Sequence, residues 1–211
     1  MQGPMMQSPA PALVLASGSA TRQALLAAAG LEFGVRVAAV DEAAIKESAR
    51  AEGIPAGDTA LLLAQAKAQR VARQVPEALV IGADQLLVCR EGAAERWFDK
   101  PPDLAAARAQ LLALRGRSHE LVTATVCWRG GEQLWQHLET PVLTMRDFSE
   151  AFLDAYLARE GERVLGSVGA YRLEGPGVQL FSRIRGEHSA ILGLPLLPLL
   201  GFLRDHGVLR G

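Results

Sequence analysis

The 211-residue chain has almost no net charge, few aromatic residues and only two cysteines. It carries 22 lysines and arginines against 23 aspartates and glutamates, a formal net charge of -1 at pH 7. Proteins that bind nucleic acid usually have a basic surplus, so we expect no nucleic-acid partner. Cys89 and Cys127 belong to no CxxC pattern. Their spacing excludes a cysteine metal site and a disulfide framework, and it predicts free thiols in a reducing compartment.

The chain also lacks a hydrophobic run long enough to span a membrane. The first apolar run, residues 12–16, is too short for a signal-peptide core and follows no positively charged region. Residues 191–203 are apolar as well, but Pro195 and Pro198 interrupt them, and the run is shorter than a membrane span. We therefore expect a cytoplasmic protein without a membrane partner.

The composition is that of a globular protein, because 49% of the residues are hydrophobic and only 21% are charged. We expect residues 1–11 to form a flexible N-terminal arm and residues 12–211 a single domain. Apolar runs alternate with helical patterns in the order β-α-β-α-β-β-α-β-β-α-loop-α, which predicts an α/β fold with a mixed sheet. The predicted strands are residues 13–16, 33–40, 79–81, 86–89, 119–128 and 133–145, and the predicted helices are residues 21–29, 58–75, 103–114, 149–159 and 195–206.

Residues 78–85 combine an apolar strand, a glycine and a carboxylate. Residues 79–81 are typical of a buried strand, and Gly82 permits a turn or a close approach to a ligand. Asp84 then stands at the carboxyl end of the predicted strand, where open α/β sheets present reactive groups. Aspartate is equally typical of a turn or a helix cap, so this local pattern leaves both interpretations open.

A second candidate is the small-residue turn Ser17-Gly18-Ser19, which lies between a predicted strand and a predicted helix. Backbone N–H groups at the start of a helix point outward, so this arrangement is typical of a phosphate-binding turn. Arg22 lies in the first helical turn, where a cation opposes the helix dipole. Anchoring an anion explains its position, and simple solvation of the side chain is the alternative.

Charged residues of both signs recur in or beside turns and strand ends. Together they indicate a polyphosphate site with a divalent metal, since cations and Mg²⁺ neutralise phosphate charge and a carboxylate positions or activates the nucleophile. No pair has the fixed spacing of a Walker loop or a zinc site. For Lys67, an ordinary solvated lysine is the alternative. The cations are Arg22, Lys67 and Lys100, and the acids are Glu42, Asp84 and Glu174.

Seven segments, in chain order, resemble the Maf family of nucleoside triphosphate pyrophosphatases. Each segment is weak alone, but together they are specific and cover nearly the whole chain after the predicted arm. The segments are residues 15–22 (LASGSATR), 40–42 (VDE), 63–68 (LAQAKA), 81–85 (IGADQ), 100–101 (KP), 169–171 with 174–175 (GAY and EG), and 193–196 (GLPL).

This resemblance implies an α/β fold with an elongated mixed sheet flanked by helices, forming two lobes with a central cleft, and often a homodimer. It implies hydrolysis of a nucleoside triphosphate between the α- and β-phosphates, with Mg²⁺ or a similar ion such as Mn²⁺. Carried over by position, Asp84, Glu42 and Lys100 are the expected catalytic residues, and Glu42 and Asp84 the expected metal ligands. The expected substrate-binding residues are Ser19, Arg22, Lys67, Gln85 and Glu174.

Two positions resemble the branch of the family that acts on 7-methyl-GTP rather than the branch that prefers dTTP and UTP. Gln85 follows Asp84 where the latter branch usually has threonine, and Glu174 replaces its glutamine. A carboxylate can accept hydrogen bonds from the guanine edge and favours the positive charge that N7 methylation adds. An aromatic face would also suit a cationic base. Trp97 lies in the right region, but the tendency of tryptophan to be buried favours core packing as its role.

The sequence departs from the family pattern at several positions. Ala20 and Thr21 stand where proline and arginine are common, and Asp99 replaces a usual glycine beside Lys100. These departures bear on turnover and substrate rather than on fold. The alternatives to a 7-methyl-GTP pyrophosphatase are a dTTP/UTP pyrophosphatase of the same family and a non-catalytic, nucleotide-binding regulator of cell division.

Overall fold

The computed structural model describes residues 6–92 and 94–210. Strands and helices alternate along this chain, as in an α/β protein. The strands are β1 (Leu13–Leu15), β2 (Gly34–Val35), β3 (Leu79–Glu91), β4 (Ala94–Phe98), β5 (Ser118–Arg129), β6 (Glu132–Glu139), β7 (Val142–Met145) and β8 (Phe181–Arg185). The helices are α1 (Ala20–Ala28), α2 (Glu42–Ala51), α3 (Ala56–Ala72), α4 (Leu104–Leu114), α5 (Glu150–Glu160), α6 (His188–Ile191) and α7 (Leu196–Asp205), with 3₁₀ turns at Gly161–Gly166 and Pro176–Leu180.

The strands form one mixed sheet, which confirms the predicted fold class. Hydrogen bonding orders them β2-β1-β3-β5-β7-β8, with β4 paired to β3 and β6 paired to β5. Strand β1 runs parallel to both β2 and β3, with Leu15 opposite Ile81. The pairs β3–β4, β5–β6, β5–β7 and β7–β8 are antiparallel.

The chain divides into two compact units by contact density. The first contains the described part of Met1–Asp84, together with Thr123–Glu139 and the described part of Glu187–Gly211; the second contains the described part of Gln85–Val122 and Thr140–Gly186. Of the predicted N-terminal arm, residues 1–5 lie outside the described residues. Gln7 exchanges two hydrogen bonds of 2.8 Å with the backbone of Glu32. The single domain over residues 12–211 stays a prediction.

The first unit has a core built from β1, β3, α1 and α7. Its apolar side chains are almost fully buried, and burial of this kind is the main source of folding free energy. Helix α1 begins at Ser19, whose hydroxyl accepts a hydrogen bond from the Arg22 backbone N–H. The core includes Leu13, Leu15, Leu26, Leu79, Ile81, Leu199, Phe202 and Leu203. No described helix is both long and apolar enough to cross a membrane.

Several predicted strands differ from the observed ones, and the differences around Asp84 and Glu42 affect the site. Residues 79–91 form one continuous strand, so Asp84 lies inside β3 and neither in a turn nor at a helix cap. The strand predicted over residues 33–40 is limited to Gly34–Val35. Asp41, just after the predicted strand, caps the unpredicted helix α2 and accepts a 3.0 Å hydrogen bond from the backbone N–H of Ala44. The predicted strand 133–145 is divided between β6 and β7.

Candidate active site

Helix α3 packs directly against β3 at Gly82. A Cβ atom at Gly82 would lie 2.3 Å from the carbonyl oxygen of Ala64 and 2.7 Å from Cβ of Ala68. Both distances are far below van der Waals contact, so only glycine permits this approach. Lys67 lies between these two alanines in sequence, and the small residues bring its helix close enough for its side chain to reach β3.

Lys67 makes ion pairs with two carboxylates. Its Nζ lies 2.5 Å from Oδ1 of Asp84 and 2.8 Å from Oε1 of Glu42. The side chains of Lys67 and Asp84 are only 11% and 6% exposed, whereas that of Glu42 is 44% exposed. Lys67 is therefore not a solvated lysine. One lysine thus bridges two carboxylates, and the buried guanidinium of Arg22 also lies within electrostatic range of both.

The second carboxylate oxygen of Asp84 is available for chemistry. Oδ2 is buried and has no hydrogen-bond partner within the described part of the chain. A buried oxygen of this kind normally has a partner, and its absence is unfavourable unless a water, ion or substrate supplies one. Since Oδ1 is held by Lys67, the carboxylate has one oxygen fixed by a cation and a second, buried oxygen whose hydrogen-bonding capacity is unused within the described residues.

Arg22 is buried and is not a solvated surface cation. Its Nε donates to the carbonyl of Gly193 at 2.8 Å, and its Nη1 donates to Oγ of Ser17 at 3.1 Å and to the carbonyl of Ala83 at 2.9 Å. Burial lowers the pKa of the Arg22 guanidinium from its ordinary value, and the charges of Asp84 and Glu42 oppose that shift.

These contacts within the protein do not test the predicted role of Arg22 in phosphate binding. Three of its five N–H groups are used to hold together α1, the residue before Asp84 and the turn at Gly193. Gly193 has a φ of +96°, and a Cβ there would lie 3.3 Å from Nε of Arg22. A phosphate contact would therefore have to use the remaining N–H groups.

Ser19 lies one helical turn before Arg22 and is half-buried. Its Oγ accepts the capping hydrogen bond from the Arg22 backbone, and its own N–H donates to Oγ of Ser17 at 3.3 Å. The hydroxyl proton of Ser19 is still available for donation to a ligand. Sequence reasoning gave no separate role to Ser17 or Gly193, although both lie in the segments that carry the family resemblance.

The other three predicted site residues belong to the second unit. Gln85 follows Asp84 in β3 and is half-buried, whereas Lys100 and Glu174 are exposed. Glu174 lies in the turn before the 3₁₀ segment Pro176–Leu180. The structure thus brings Arg22, Glu42, Lys67 and Asp84 together within the first unit, and the roles of Gln85, Lys100 and Glu174 stay predictions.

The two cysteines take no part in this chemistry. Both are free, as predicted, and both are buried. Burial raises the pKa of the Cys89 and Cys127 thiols, which keeps them in the unreactive protonated form.

The donor set suits magnesium better than zinc. Among the described residues, no group of three or more histidine, cysteine, aspartate or glutamate side chains could hold a metal ion. Mg²⁺ is typically bound through one or two carboxylates, with substrate phosphates and water as the other ligands. Glu42 and Asp84 form such a pair, and Oδ2 of Asp84 is the unpartnered oxygen that a cation would satisfy.

Comparison with known proteins identifies a family and several relatives that match nearly the whole chain. A family model described as Maf-like protein matches residues 12–206. A protein of Granulibacter bethesdensis named nucleoside triphosphate pyrophosphatase is 60% identical over 197 residues, covering 93% of this chain and 98% of that protein. One of Rhodospirillum rubrum with the same name is 50% identical, covering 97% and 99%. A protein of Rhizobium meliloti named 7-methyl-GTP pyrophosphatase is 48% identical over 199 residues, covering 94% and 98%.

Proposed function

Because this chain belongs to the Maf family, we propose that it hydrolyses a nucleoside triphosphate between its α- and β-phosphates. The products are a nucleoside monophosphate and pyrophosphate. The observation that carries this proposal is the Asp84 carboxylate, with Oδ1 bound to Lys67 and Oδ2 buried without a partner among residues 6–92 and 94–210. Relatives that cover nearly the whole chain carry the name nucleoside triphosphate pyrophosphatase, which supports the reaction class.

Within this proposal, the residues of the first unit have two roles: some position the carboxylates, and others bind the phosphates. Lys67 fixes the orientation of Asp84 and Glu42, and Arg22 fixes the backbone just before Asp84. Ser19 and the remaining N–H groups of Arg22 bind phosphate oxygens. Lys100 of the second unit neutralises developing negative charge, which is the main electrostatic requirement of phosphoryl chemistry.

We further propose that Glu42 and Asp84 hold a divalent cation, Mg²⁺ or Mn²⁺. When bound, such an ion neutralises phosphate charge and makes water a better nucleophile. Asp84 can serve as its ligand or as the group that accepts a proton from the attacking water. Both roles require the ionised carboxylate.

The preferred substrate that we propose is 7-methyl-GTP. Glu174 is exposed and negatively charged, so it is able to accept hydrogen bonds from the guanine edge and to favour the methylated, cationic base. A relative at 48% identity is named 7-methyl-GTP pyrophosphatase. A broader or dTTP/UTP preference is the second candidate, because the relatives at 60% and 50% identity carry only the general name.

The decisive experiment measures pyrophosphate release with Mg²⁺ from 7-methyl-GTP, GTP, dTTP, UTP and CTP. We expect the highest kcat/KM with 7-methyl-GTP and a monophosphate as the second product. Release mainly from dTTP and UTP would reject the role of Glu174, and no release from any substrate would reject the enzyme. A parallel series with EDTA and restored Mg²⁺ or Mn²⁺ tests the metal.

We also propose that the protein works in the cytoplasm as a homodimer, without nucleic acid or a membrane. The free, buried cysteines and the near-neutral charge support the compartment and the lack of a nucleic-acid partner. Light scattering after size-exclusion chromatography measures the oligomer: a mass near twice 22.5 kDa is expected, and a mass of one chain would reject the dimer.

A further inference from the structure

Residues 167–175 form the loop that carries Glu174, and hydrogen bonds hold this loop to other parts of the second unit at several successive positions. The side chain of Gln110 on α4 donates a hydrogen bond to the carbonyl of Val168. The hydroxyl of Tyr156 on α5 donates to the carbonyl of Ala170 at 3.4 Å. Ala170 has a φ of +55°, an unfavourable value for a residue other than glycine that persists only when the surroundings impose it.

The next two residues of the loop are held by buried polar side chains. Nε2 of His119 and the hydroxyl of Tyr171 are hydrogen-bonded at 2.8 Å, and both side chains are buried. Nη1 of Arg172 lies 3.3 Å from Oε2 of Glu160, whose side chain is only 3% exposed. The loop is therefore fixed just before Glu174, as expected for a segment whose geometry matters for binding.

Glu160 is the anionic centre of this arrangement. Its Oε1 lies 3.6 Å from Nη2 of Arg163, so two arginines surround one buried carboxylate. A Cβ at Gly175 would lie 3.6 Å from Oε1 of Glu160, which places the residue after Glu174 beside the same carboxylate. Of these two arginines, Arg172 is the closer to Glu174 in sequence, because it lies only two residues before it.

The charges of Glu160, Arg172 and Glu174 act on a common neighbour. Burial raises the pKa of the Tyr156 hydroxyl, the charges of Glu160 and Glu174 raise it further, and the charge of Arg172 lowers it. All three side chains thus lie within electrostatic range of one hydroxyl. Arg172 and Glu174 are two residues apart in the same loop, and Gly175 lies beside the carboxylate that holds Arg172, so Glu174 is the candidate partner for Arg172 if Glu160 is removed.

We propose that Glu160 is a positioning residue for base selection, which holds Arg172 and so keeps that cation away from Glu174. A paired Glu174 would no longer favour a cationic base, because Arg172 would occupy the same carboxylate. Removal of Glu160 should therefore reduce the preference for a methylated, cationic guanine over an unmethylated one. This inference rests on the proposed function, specifically on the reading of the base by Glu174.

The kinetic test compares kcat/KM for 7-methyl-GTP and GTP in wild type, Glu160→Gln, Arg172→Gln and the double variant. We expect the ratio to fall about three- to tenfold in Glu160→Gln, the range of a partly exposed charge interaction, mainly through the KM for 7-methyl-GTP. Adding Arg172→Gln should restore it. An unchanged ratio in folded Glu160→Gln, or a reduced ratio that the second substitution does not restore, would overturn the inference.

Arg163→Gln is the matched control, because it removes the other cation from Glu160 but leaves the pair with Arg172. It should keep the wild-type ratio, and a loss equal to that of Glu160→Gln would indicate a general effect of loop stability. A purely structural role for Glu160 would lower the thermal midpoint without a rescue of selectivity by Arg172→Gln.

A measurement without substrate separates this inference from the proposed function. The side-chain Nε–H signal of Arg172, assigned by its loss in Arg172→Gln, is followed by NMR in wild type, Glu160→Gln and Glu160→Gln/Glu174→Gln. We expect a shift in the single variant that Glu174→Gln reverses. A shift that Glu174→Gln leaves unchanged would refute the exchange of partners. A wild-type enzyme with no preference for 7-methyl-GTP would refute only the proposed substrate.

Discussion

Nζ of Lys67 lies 2.5 Å from Oδ1 of Asp84, and both side chains are almost completely buried. The pair joins helix α3 to strand β3 at the point where Gly82 permits the closest approach between them. A buried ion pair of this kind is costly to break from one side, because the remaining charge has no compensation. The role of this pair in turnover and its contribution to the free energy of unfolding can be measured with different substitutions.

Asp84→Asn is expected to abolish most turnover while leaving the fold intact. Asparagine has nearly the same volume but lacks the negative charge that both a metal ligand and a general base require. We expect kcat to fall by at least about 100-fold in pyrophosphate release, with an unchanged circular dichroism spectrum. Asp205→Asn, at the exposed end of α7, is the control and should retain activity. Normal kinetics in Asp84→Asn would show that this carboxylate is only structural.

Lys67→Met should destabilise the protein more than a double variant that also contains Asp84→Asn. The single substitution leaves Asp84 buried without its cation, at a cost of about 3 kcal/mol in the free energy of unfolding. Asp84→Asn removes the uncompensated charge, so the two effects should not add. Urea denaturation of wild type, both single variants and the double variant measures this coupling. Additive losses would mean that the two groups do not interact.

Gly82→Ala should reduce both stability and activity, because its Cβ would collide with the backbone of α3. The helix must shift, which costs about 1–3 kcal/mol and moves Lys67 away from Asp84. Gly201→Ala is the matched control, since a Cβ there meets no atom within 4 Å and alanine favours the helix. We expect a lower thermal midpoint and lower kcat only for Gly82→Ala. Equal behaviour of the two variants would contradict the close packing.

His119 should make stability fall as the pH decreases from about 6.5 to about 4. Burial lowers the pKa of His119 to about 4 in the folded protein, against about 6.5 in an unfolded chain. Between these values the unfolded state binds the extra proton, so the free energy of unfolding rises with pH, by about 3 kcal/mol across the full interval.

Urea denaturation at several pH values, with wild type and His119→Gln, measures this dependence. The substitution should flatten the pH slope between pH 4 and 6.5, whatever it does to stability at pH 7. His137→Gln, on β6, should keep the wild-type slope. A slope that persists in His119→Gln would assign the effect to another group.

Sequence patterns predicted the α/β class, the mixed sheet and most helices because these depend on local periodicity and capping. Helices α4 and α5 begin where predicted, because Asp103 and Ser149 cap them, each accepting a hydrogen bond from a backbone N–H three residues later. Helix α2 was missed because most of its residues are polar or alanine and Gly53 and Pro55 follow closely, a composition typical of a loop. The continuous strand through Asp84 was missed because Gly82 suggested a turn, whereas the neighbouring strands override that local preference.

The sequence by itself determined the family, through seven short segments in a fixed order, and with it the candidate residues and their charges. Only the tertiary structure decided which of them meet. It placed Lys67 between Glu42 and Asp84, left Oδ2 of Asp84 without a partner in the described part of the chain, and used three N–H groups of Arg22 for contacts within the protein. The physical reason is that all of these contacts except the one between Arg22 and Ser17 join residues 17 to 171 positions apart. The contacts of Lys67 also depend on how closely α3 approaches β3 at Gly82, and no local sequence pattern encodes that distance.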